Sequence, residues 1–384
     1  MKNKINFKIV GSGPTGLLLS IALSKFDCNI FLTDLLTRDR LIDRDKTYAI
    51  THSTKKILTK FRLWEKLEPY LFGFDTLSIS DSVISSITKL TISDLDDDIS
   101  SSENIGWVVK HSDLMNVFFS VIDNYDNIFF MTNPKLVDKK ILFDYQFLST
   151  GANSLDKKLI HFIGLKKTYS QSCLTFKVSL RGNCEKRAYE IFREEGPLAL
   201  LPLEKNLYQV IWTSSTLKSI ERLNSDKNFL MDNLSTILPD EFKLDQIIGE
   251  FNIFPVSLSL NIPIFNFDKF VFVGDAFHTF HPVGGQGLNS CWRDVNSIFD
   301  LLNKNIAITK MHLILFKFKY FSTRIVDIIC TIFITDFLIL IFANRNPFLF
   351  PIRKLSFVLL NNFVFIRKLV LNQMTKSLVY SRIK

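Results

Sequence analysis

The sequence predicts an α/β fold: a parallel-sheet nucleotide-binding domain, an inserted and mainly antiparallel β-sheet domain, and a C-terminal helical region. Three observations predict it. An apolar strand at the N-terminus runs straight into a glycine-rich turn and a helix. A second apolar strand with its own glycine turn lies near residue 275. Between them, segments such as Leu174 to Val178 and Tyr208 to Trp212 alternate in the two-residue period of half-buried strands.

Ile5, Phe7, Ile9 and Val10 form the first strand, followed at once by Gly11-Ser12-Gly13-Pro14-Thr15-Gly16 and an apolar helix from Leu17 to Leu23. Gly11 permits the tight turn, Gly13 lets backbone approach a pyrophosphate, and Gly16 lets helix and strand pack closely. Pro14 has no N–H and suits the first helical turn, where none is needed. A second strand, Asn29 to Thr33, ends at Asp34, placed to accept from a ribose hydroxyl. Strand, glycines, helix, strand and acid in this order read as a dinucleotide-binding βαβ unit.

Residues 78 to 104 are rich in Ser and Asp and read as a hairpin or exposed loops. The run Asp96-Asp97-Asp98 lacks the Gly and terminal Glu of a calcium loop, so it reads as solvated. A helix from Leu114 to Ile122 and a strand near Phe143 to Ser149 return the chain to the nucleotide domain. Residues 166 to 264 supply the antiparallel sheet, and helices fill 288 to 384.

The stretch from Phe270 to Asp294 carries most information. Phe270 to Val273 read as a buried strand ending in Gly274-Asp275, and Gly284-Gly285-Gln286-Gly287 precede a helix. A carboxylate suits the hydroxyls of a ribitol chain, and free N–H groups at a helix start suit an anionic ring or phosphate. FAD needs both.

These segments resemble the flavin-dependent aromatic hydroxylases, specifically the ubiquinone-biosynthesis hydroxylase family. That family carries GxGxxG, a middle box near ADGxxS and a late GDAAHxxxPxxGQGxNxGxxD box. The late box stands here as Gly274, Asp275, Ala276, Phe277, His278, Pro282, Gly285, Gln286, Gly287, Asn289, Arg293 and Asp294. Lys46 to Ile50, Gly196 to Leu203 and Thr335 to Leu338 are further family-like phrases. The resemblance implies a Rossmann-like FAD-binding domain from 1–75, 105–165 and 265–305. It implies a substrate domain from 76–104 and 166–264, and a helical region from 306–384. FAD contacts are implied at Gly11, Gly13, Pro14, Thr15, Gly16, Asp34, Lys46, Thr150, Gly151, Gly274, Asp275, Pro282, Gly285, Gln286, Gly287, Leu288 and Asn289.

The chain departs from the pattern in four places. Thr150 stands where the middle box usually has Asp, Phe277 and Cys291-Trp292 replace smaller residues, and Lys46 replaces an Arg, losing its bidentate fork. The implied activity is monooxygenation, with NAD(P)H and O2 as co-substrates, of an aromatic ring in a prenylated phenol or quinone precursor. Pro282 is expected near the reactive face of the flavin. His278 and His281 flank the late box, where an imidazole could take a phenol's proton or simply hydrogen-bond its surroundings. Arg293-Asp294 reads as an ion pair steadying the helix. A flavoprotein reductase acting on an isoprenoid chain, and an FAD-binding subunit without turnover, are the alternatives.

At 384 residues the chain suffices for about two domains with substantial cores. Hydrophobic residues make up 47 %. Yet no uncharged apolar run of about 18 residues occurs, so no transmembrane helix is expected. The nearest candidate, Ile328 to Ala343, contains Asp336. No cationic segment with an apolar stretch precedes the first strand, so no signal peptide is expected either. Cys28, Cys173, Cys184, Cys291 and Cys330 show no C-x-x-C spacing, which reads as reduced thiols in the cytoplasm and not as a metal site. His52, His111, His161 and His312 are isolated and support neither a metal site nor a triad.

The net charge of +9 comes without a recognisable nucleic-acid module, so no nucleic-acid partner is expected. The C-terminal segment alternates apolar clusters with Arg345, Arg353, Lys354, Arg367, Lys368, Lys376 and Arg382. It reads equally as a basic amphipathic tail resting on the inner face of a membrane and as helices packed on the body with solvated charges. A quinone-biosynthesis complex is a further partner implied by the resemblance.

Overall fold

The computed structural model describes residues 4–132, 141–152, 164–182, 186–262, 270–304 and 310–376. Asn153, Ser154, His161, Cys184 and Arg382 lie outside them, as do the expected boundaries at 265 and 305.

Strands with apolar side chains on both faces suit a parallel sheet covered by helices on both sides. Here β1 (Ile5–Val10), with Phe7 and Ile9 fully buried, leads into α1 (Pro14–Leu23) and β2 (Cys28–Thr33). The chain then runs through α2 (Arg38–Ile42), β3 (Thr47–Ile50), α3 (His52–Lys60), α4 (Trp64–Leu67) and β4 (Phe72–Phe74). The Ser- and Asp-rich stretch opens with a hairpin, β5 (Thr76–Asp81) and β6 (Ser86–Thr91). It is followed by β7 (Gly106–Lys110), α5 (His111–Ile122), β8 (Ile128–Met131) and β9 (Tyr145–Leu148).

Next come β10 (Gly164–Arg181), β11 (Arg187–Phe192), β12 (Leu198–Glu204), β13 (Leu207–Ser215), α6 (Thr216–Asn224), α7 (Lys227–Ser235) and β14 (Lys243–Asn261). The late box contributes β15 (Phe270–Phe272), β16 (His278–Thr279) and α8 (Gln286–Lys304). The chain continues as α9 (Lys310–Phe342), α10 (Phe350–Asn362) and α11 (Val364–Thr375).

The first sheet is parallel throughout, in the order β15-β9-β1-β2-β8. Helix α1 is apolar all round because it lies between this sheet and α5 and α8. Full burial of Leu17, Leu18, Leu19, Ile21 and Leu23 contributes about 1.5–3 kcal/mol per side chain. The second sheet runs β16-β14-β10-β13-β12-β11-β5-β6, antiparallel except where β11 meets β5. Its alternation sorts side chains to two faces. Leu174, Phe176, Leu198, Leu200, Val210 and Trp212 cluster with Leu230 and Leu234 of α7. Ala188, Ala199, Leu201, Ile211 and Thr213 look the other way, toward the glycine turn before α8. A small sheet, β3-β7-β4, lies alongside.

The C-terminal region shows where the apolar run and the charges noted in the sequence go. Met311 to Phe342 form one unbroken helix, 32 residues long and apolar enough by length and composition to cross a membrane. Asp336, the charge expected to break the run, accepts from Lys167 and Tyr169 of β10, while Phe316, Tyr320, Arg324, Asp327, Ile328, Thr331 and Thr335 fall on one buried stripe where the polar groups find partners. The acidic run is not simply solvated. Asp96 accepts from Asn372 and Lys376, Asp98 accepts from Lys376, and nearby Asp94 pairs with Arg367, so these acids hold α11 down. The basic tail is largely neutralised in turn. Arg353 is fully buried, bonding the carbonyls of Ile341 and Asn344 and lying 3.6 Å from Asp81. Arg345 pairs with Glu194, and Lys368 with Asp97.

Candidate active site

The three glycine boxes meet at the carboxyl ends of β1, β9 and β15, adjacent strands of the parallel sheet. Gly11 has φ +100°, and a Cβ there would lie 2.5 Å from the Ser149 carbonyl oxygen. A Cβ on Gly16 would lie 1.9 Å from the Gly11 carbonyl oxygen. Ser149 Oγ donates to that same oxygen at 2.8 Å, fastening the middle box to the first. A Cβ on Gly274 would meet Thr15 at 3.1 Å and Cys291 Sγ at 3.2 Å, so the late box rests directly on the first.

Around this junction the backbone faces open space. Gly13 caps α1 without any side-chain cap, and a Cβ on Gly13, Gly151 or Gly287 would touch nothing within 4 Å. The first N–H groups of α1 have no partner within the helix, which makes its start an anion site. Ser12 Oγ is buried without a partner. Asp34 accepts the Ser12 N–H at 2.7 Å and the Leu36 N–H at 3.0 Å, which fixes its carboxylate at the end of β2. Asp275 is exposed, accepts from Cys291 Sγ at 3.3 Å and shares its field with Lys46 and Tyr48. A helix start for phosphates, one acid beyond β2 and another beyond β15 are the donor and acceptor set of a dinucleotide that carries ribitol.

The turn before α8 is built by Gly284 at φ +73° and Gly285 at φ +63°, two consecutive left-handed residues that give the helix a bare start. Gln286 Nε2 donates to the carbonyls of Gly284 and Met374, tying the turn to α11. Asn289 uses both ends internally. It donates to Ala49 and Gly285 and accepts from Thr51 and Thr54, so it staples β3 and α3 to α8. Leu288 is half-buried and packs on the main core.

Pro282, Val283, Gly284 and Gly285 wall one side of a cavity of about 90 Å³ in which water-sized spheres can move, where one water needs roughly 10–15 Å³. Ala49, Met374 and the inner face of the eight-stranded sheet complete it. Among the described residues, Glu190 of β11 is the one carboxylate on its wall. Burial pushes that carboxyl up to about 7, only partly opposed by the Gly284 N–H that it accepts.

The histidines lie elsewhere. His278 is fully buried, with Nε2 2.8 Å from Asp294 Oδ2. His281 accepts the Val283 N–H, and burial lowers it to about 4. Neither lines the cavity, and both hydrogen-bond their surroundings, the second of the alternatives expected of them. Arg293 and Asp294 do not pair with each other, since neighbours on a helix point about 100° apart. Asp294 accepts from Gly274 N at 3.0 Å and Arg324 Nε at 2.7 Å, and Asp327 accepts from Arg293 at 3.0 Å and Arg324 at 2.5 Å. The bulky departures are packing choices. Phe277 fills the space beside Tyr320 of α9, and Trp292 packs on Phe118 of α5.

A family profile described as an FAD-binding domain matches residues 160–308. The chain is 27 % identical over 152 residues to 3-demethoxyubiquinol 3-hydroxylase of Escherichia coli K12, covering 40 % of this chain and 38 % of that enzyme. It is 20 % identical over 393 residues to the ubiquinone biosynthesis monooxygenase COQ6 of Dictyostelium discoideum, covering 83 % and 75 %. Among solved structures, p-nitrophenol 4-monooxygenase PnpA of Pseudomonas putida superposes over the whole of both chains with a TM-score of 0.76 at 15 % identity. Residues 160–308 thus match an FAD-binding domain, and the named sequence relatives and structural neighbours are hydroxylases and monooxygenases. The fold of this flavoprotein is shared equally with Klebsiella pneumoniae HpxO, solved with FAD and uric acid, at a TM-score of 0.73 and 13 % identity over 99 % of this chain and 98 % of that one.

Sequence reasoning about the flavoprotein missed Glu190, Met374 and the Arg324–Asp327 pair. A lone carboxylate among Ala188, Ile191 and Phe192 was the available signal for Glu190. The others depend on which distant segments meet.

Proposed function

We propose that the flavoprotein hydroxylates the ring of a prenylated phenol on the way to a quinone, with NAD(P)H and O2 as co-substrates. The observation that carries this is the cavity between the Pro282–Gly285 turn and the largely apolar face of the substrate sheet, bordered by a bare helix start. The quinone-pathway names of the sequence relatives support the substrate class. Bound FAD, once reduced, supplies the oxygen-activating chemistry. The protein's part is to hold and to shield. Gly11, Gly13, Pro14, Thr15 and Gly16 would take the pyrophosphate, Asp34 the ribose and Asp275 the ribitol. Thr150 and Gly151 would border the ring, and Lys46 would contribute positive charge. The start of α8 would stabilise negative charge on the ring through Gln286 and Gly287, while Ala199, Leu201 and Ile211 exclude water.

Purified protein should be yellow, and should oxidise NAD(P)H with oxygen uptake only when a phenol is added. Cells lacking the gene should accumulate one under-hydroxylated precursor. Alkene reduction without oxygen uptake would assign the isoprenoid reductase instead, and bound flavin without turnover on any phenol an assembly subunit.

The same proposal puts the protein on the cytoplasmic face of a membrane, with α9 to α11 against the lipid. Phe318, Phe333, Leu340, Phe348 and Phe365 are exposed there, while Arg345, Arg367, Lys368 and Lys376 are already paired with acids of the body. Apolar burial would therefore dominate over charge. Sedimentation with neutral phosphatidylcholine vesicles should match that with anionic vesicles, and failure to bind either would remove the membrane.

A further inference from the structure

Glu190 sits in the middle of β11, opposite Ala199 of β12 and Ile79 of β5. Strand alternation turns it to the same side as Ala188, onto the cavity wall, while its neighbour Tyr189 points into the opposite core and donates to Glu241. An acid on an otherwise apolar wall costs stability unless something requires it. Among the described residues that line the cavity, no cation neutralises it. β12 offers Ala199, β13 offers Thr213, β5 offers Leu77, β3 offers Ala49 and α11 offers Met374. The glycine turn offers its backbone N–H alone. The titratable neighbour that feels its charge is Cys173 of β10, which donates to or accepts from Thr213 at 3.2 Å and stays a thiol, pushed up to about 12 by burial.

Resting on the hydroxylase function proposed above, we propose that Glu190 is the catalytic base that ionises the substrate's phenol. The phenol O–H bond breaks, its proton passes to a Glu190 oxygen to give a neutral carboxylic acid, and the electron pair stays on the phenolate. No oxidant or reductant is needed for this step. The ring becomes richer in electrons, as oxygen transfer to it requires. The shift of Glu190 toward neutrality suits such an exchange, because a base works best with a pKa near the working pH. Its contact with the Gly284 N–H puts the accepting oxygen against the turn that borders the ring.

The deciding variant is Glu190→Gln, whose side-chain carbonyl can still accept the Gly284 N–H but cannot take a proton. FAD-loaded wild-type and variant proteins would be compared with 4-ethylphenol, whose own O–H stays protonated over this range, followed by difference absorbance across pH 5 to 9 alongside phenol-stimulated oxygen uptake. The wild type should bind the probe as phenolate near neutral pH, and its kcat/KM should rise as pH passes through about 7. Glu190→Gln should keep its flavin, bind the probe protonated, lose that rise, and lose about a hundredfold in kcat/KM. Glu190→Asp should restore part of the pH profile. A Gln variant with the wild-type profile and phenolate band would overturn the assignment and leave Glu190 as a tether for the turn. Wild-type protein that takes up oxygen with phenols yet binds the probe protonated would overturn Glu190's role alone. If no phenol stimulates oxygen uptake, the hydroxylase function fails and the base goes with it.

Discussion

Replacing Asp294 with Ala should cost the flavoprotein about 3 kcal/mol and loosen its hold on FAD. The carboxylate is fully buried and accepts from Gly274 N at 3.0 Å, His278 Nε2 at 2.8 Å and Arg324 Nε at 2.7 Å. Truncation strands a backbone N–H and an imidazole, each an orphaned donor costing about 1–3 kcal/mol. Removing one partner of a buried ion pair costs about 3–5 kcal/mol. Asp327 keeps Arg324 paired at 2.5 Å, which sets the total at the lower end of that range. Because the Gly274 N–H is one of the lost bonds, the Gly274-Asp275 turn should shift and flavin affinity should fall with stability. Urea unfolding of FAD-loaded protein, with a flavin fluorescence titration, measures both.

Acid supplies an independent check on the same residue. Burial by itself would raise the Asp294 carboxyl, but His278 and Arg324 outweigh burial and hold it below its usual value. A depressed carboxyl contributes stability above its unfolded pKa and loses it as pH falls through the lower, folded one. The gap between wild type and Asp294→Ala should therefore be widest near neutrality and close below about pH 4. A cost under about 1 kcal/mol at neutral pH with unchanged flavin affinity would refute the reasoning.

Gly13→Ala should leave apo stability within about 1 kcal/mol, since its Cβ meets nothing, yet lower FAD affinity at least tenfold in titration. Gly16→Ala, with a Cβ 1.9 Å from a carbonyl oxygen, should fail to fold stably in the same unfolding assay. Glu190 is pushed up to about 7 from 4.5, so its charged form disfavours the fold increasingly as pH rises through that window. Glu190→Gln should gain on the order of 2–3 kcal/mol over wild type at pH 8 and little at pH 4, by urea unfolding. Lys376→Ala frees the half-exposed Asp96 and Asp98 and should cost about 1 kcal/mol or less, with raised proteolysis of α11 as the readout. Phe333→Glu, on the outer face of α9, should abolish vesicle sedimentation while changing unfolding by less than about 0.5 kcal/mol.

What could be read from the chain was whatever depends on neighbours in sequence. Gly11, Gly13 and Gly16 declare themselves because turn, helix start and close packing all lie within six residues, and the alternation of β10, β12 and β13 is a local period. The parts that escaped are pairings across long separations. Asp96 to Asp98 look solvated until Lys376, about 280 residues on, arrives to meet them. Arg293 and Asp294 look like partners because they are adjacent, yet the helical twist sends them to separate acceptors and donors on α9. Arg324 and Asp327 gave no signal in the sequence, and their spacing puts them on the stripe that faces α8. Glu190 is the most instructive omission. Its strand was legible and its charge was visible, but only the register of β11 against β12 decides which face it occupies, and only the turn after Pro282 makes that face a cavity. A charge in an apolar strand is thus a question the sequence can pose. The answer lies in what the opposite wall is made of.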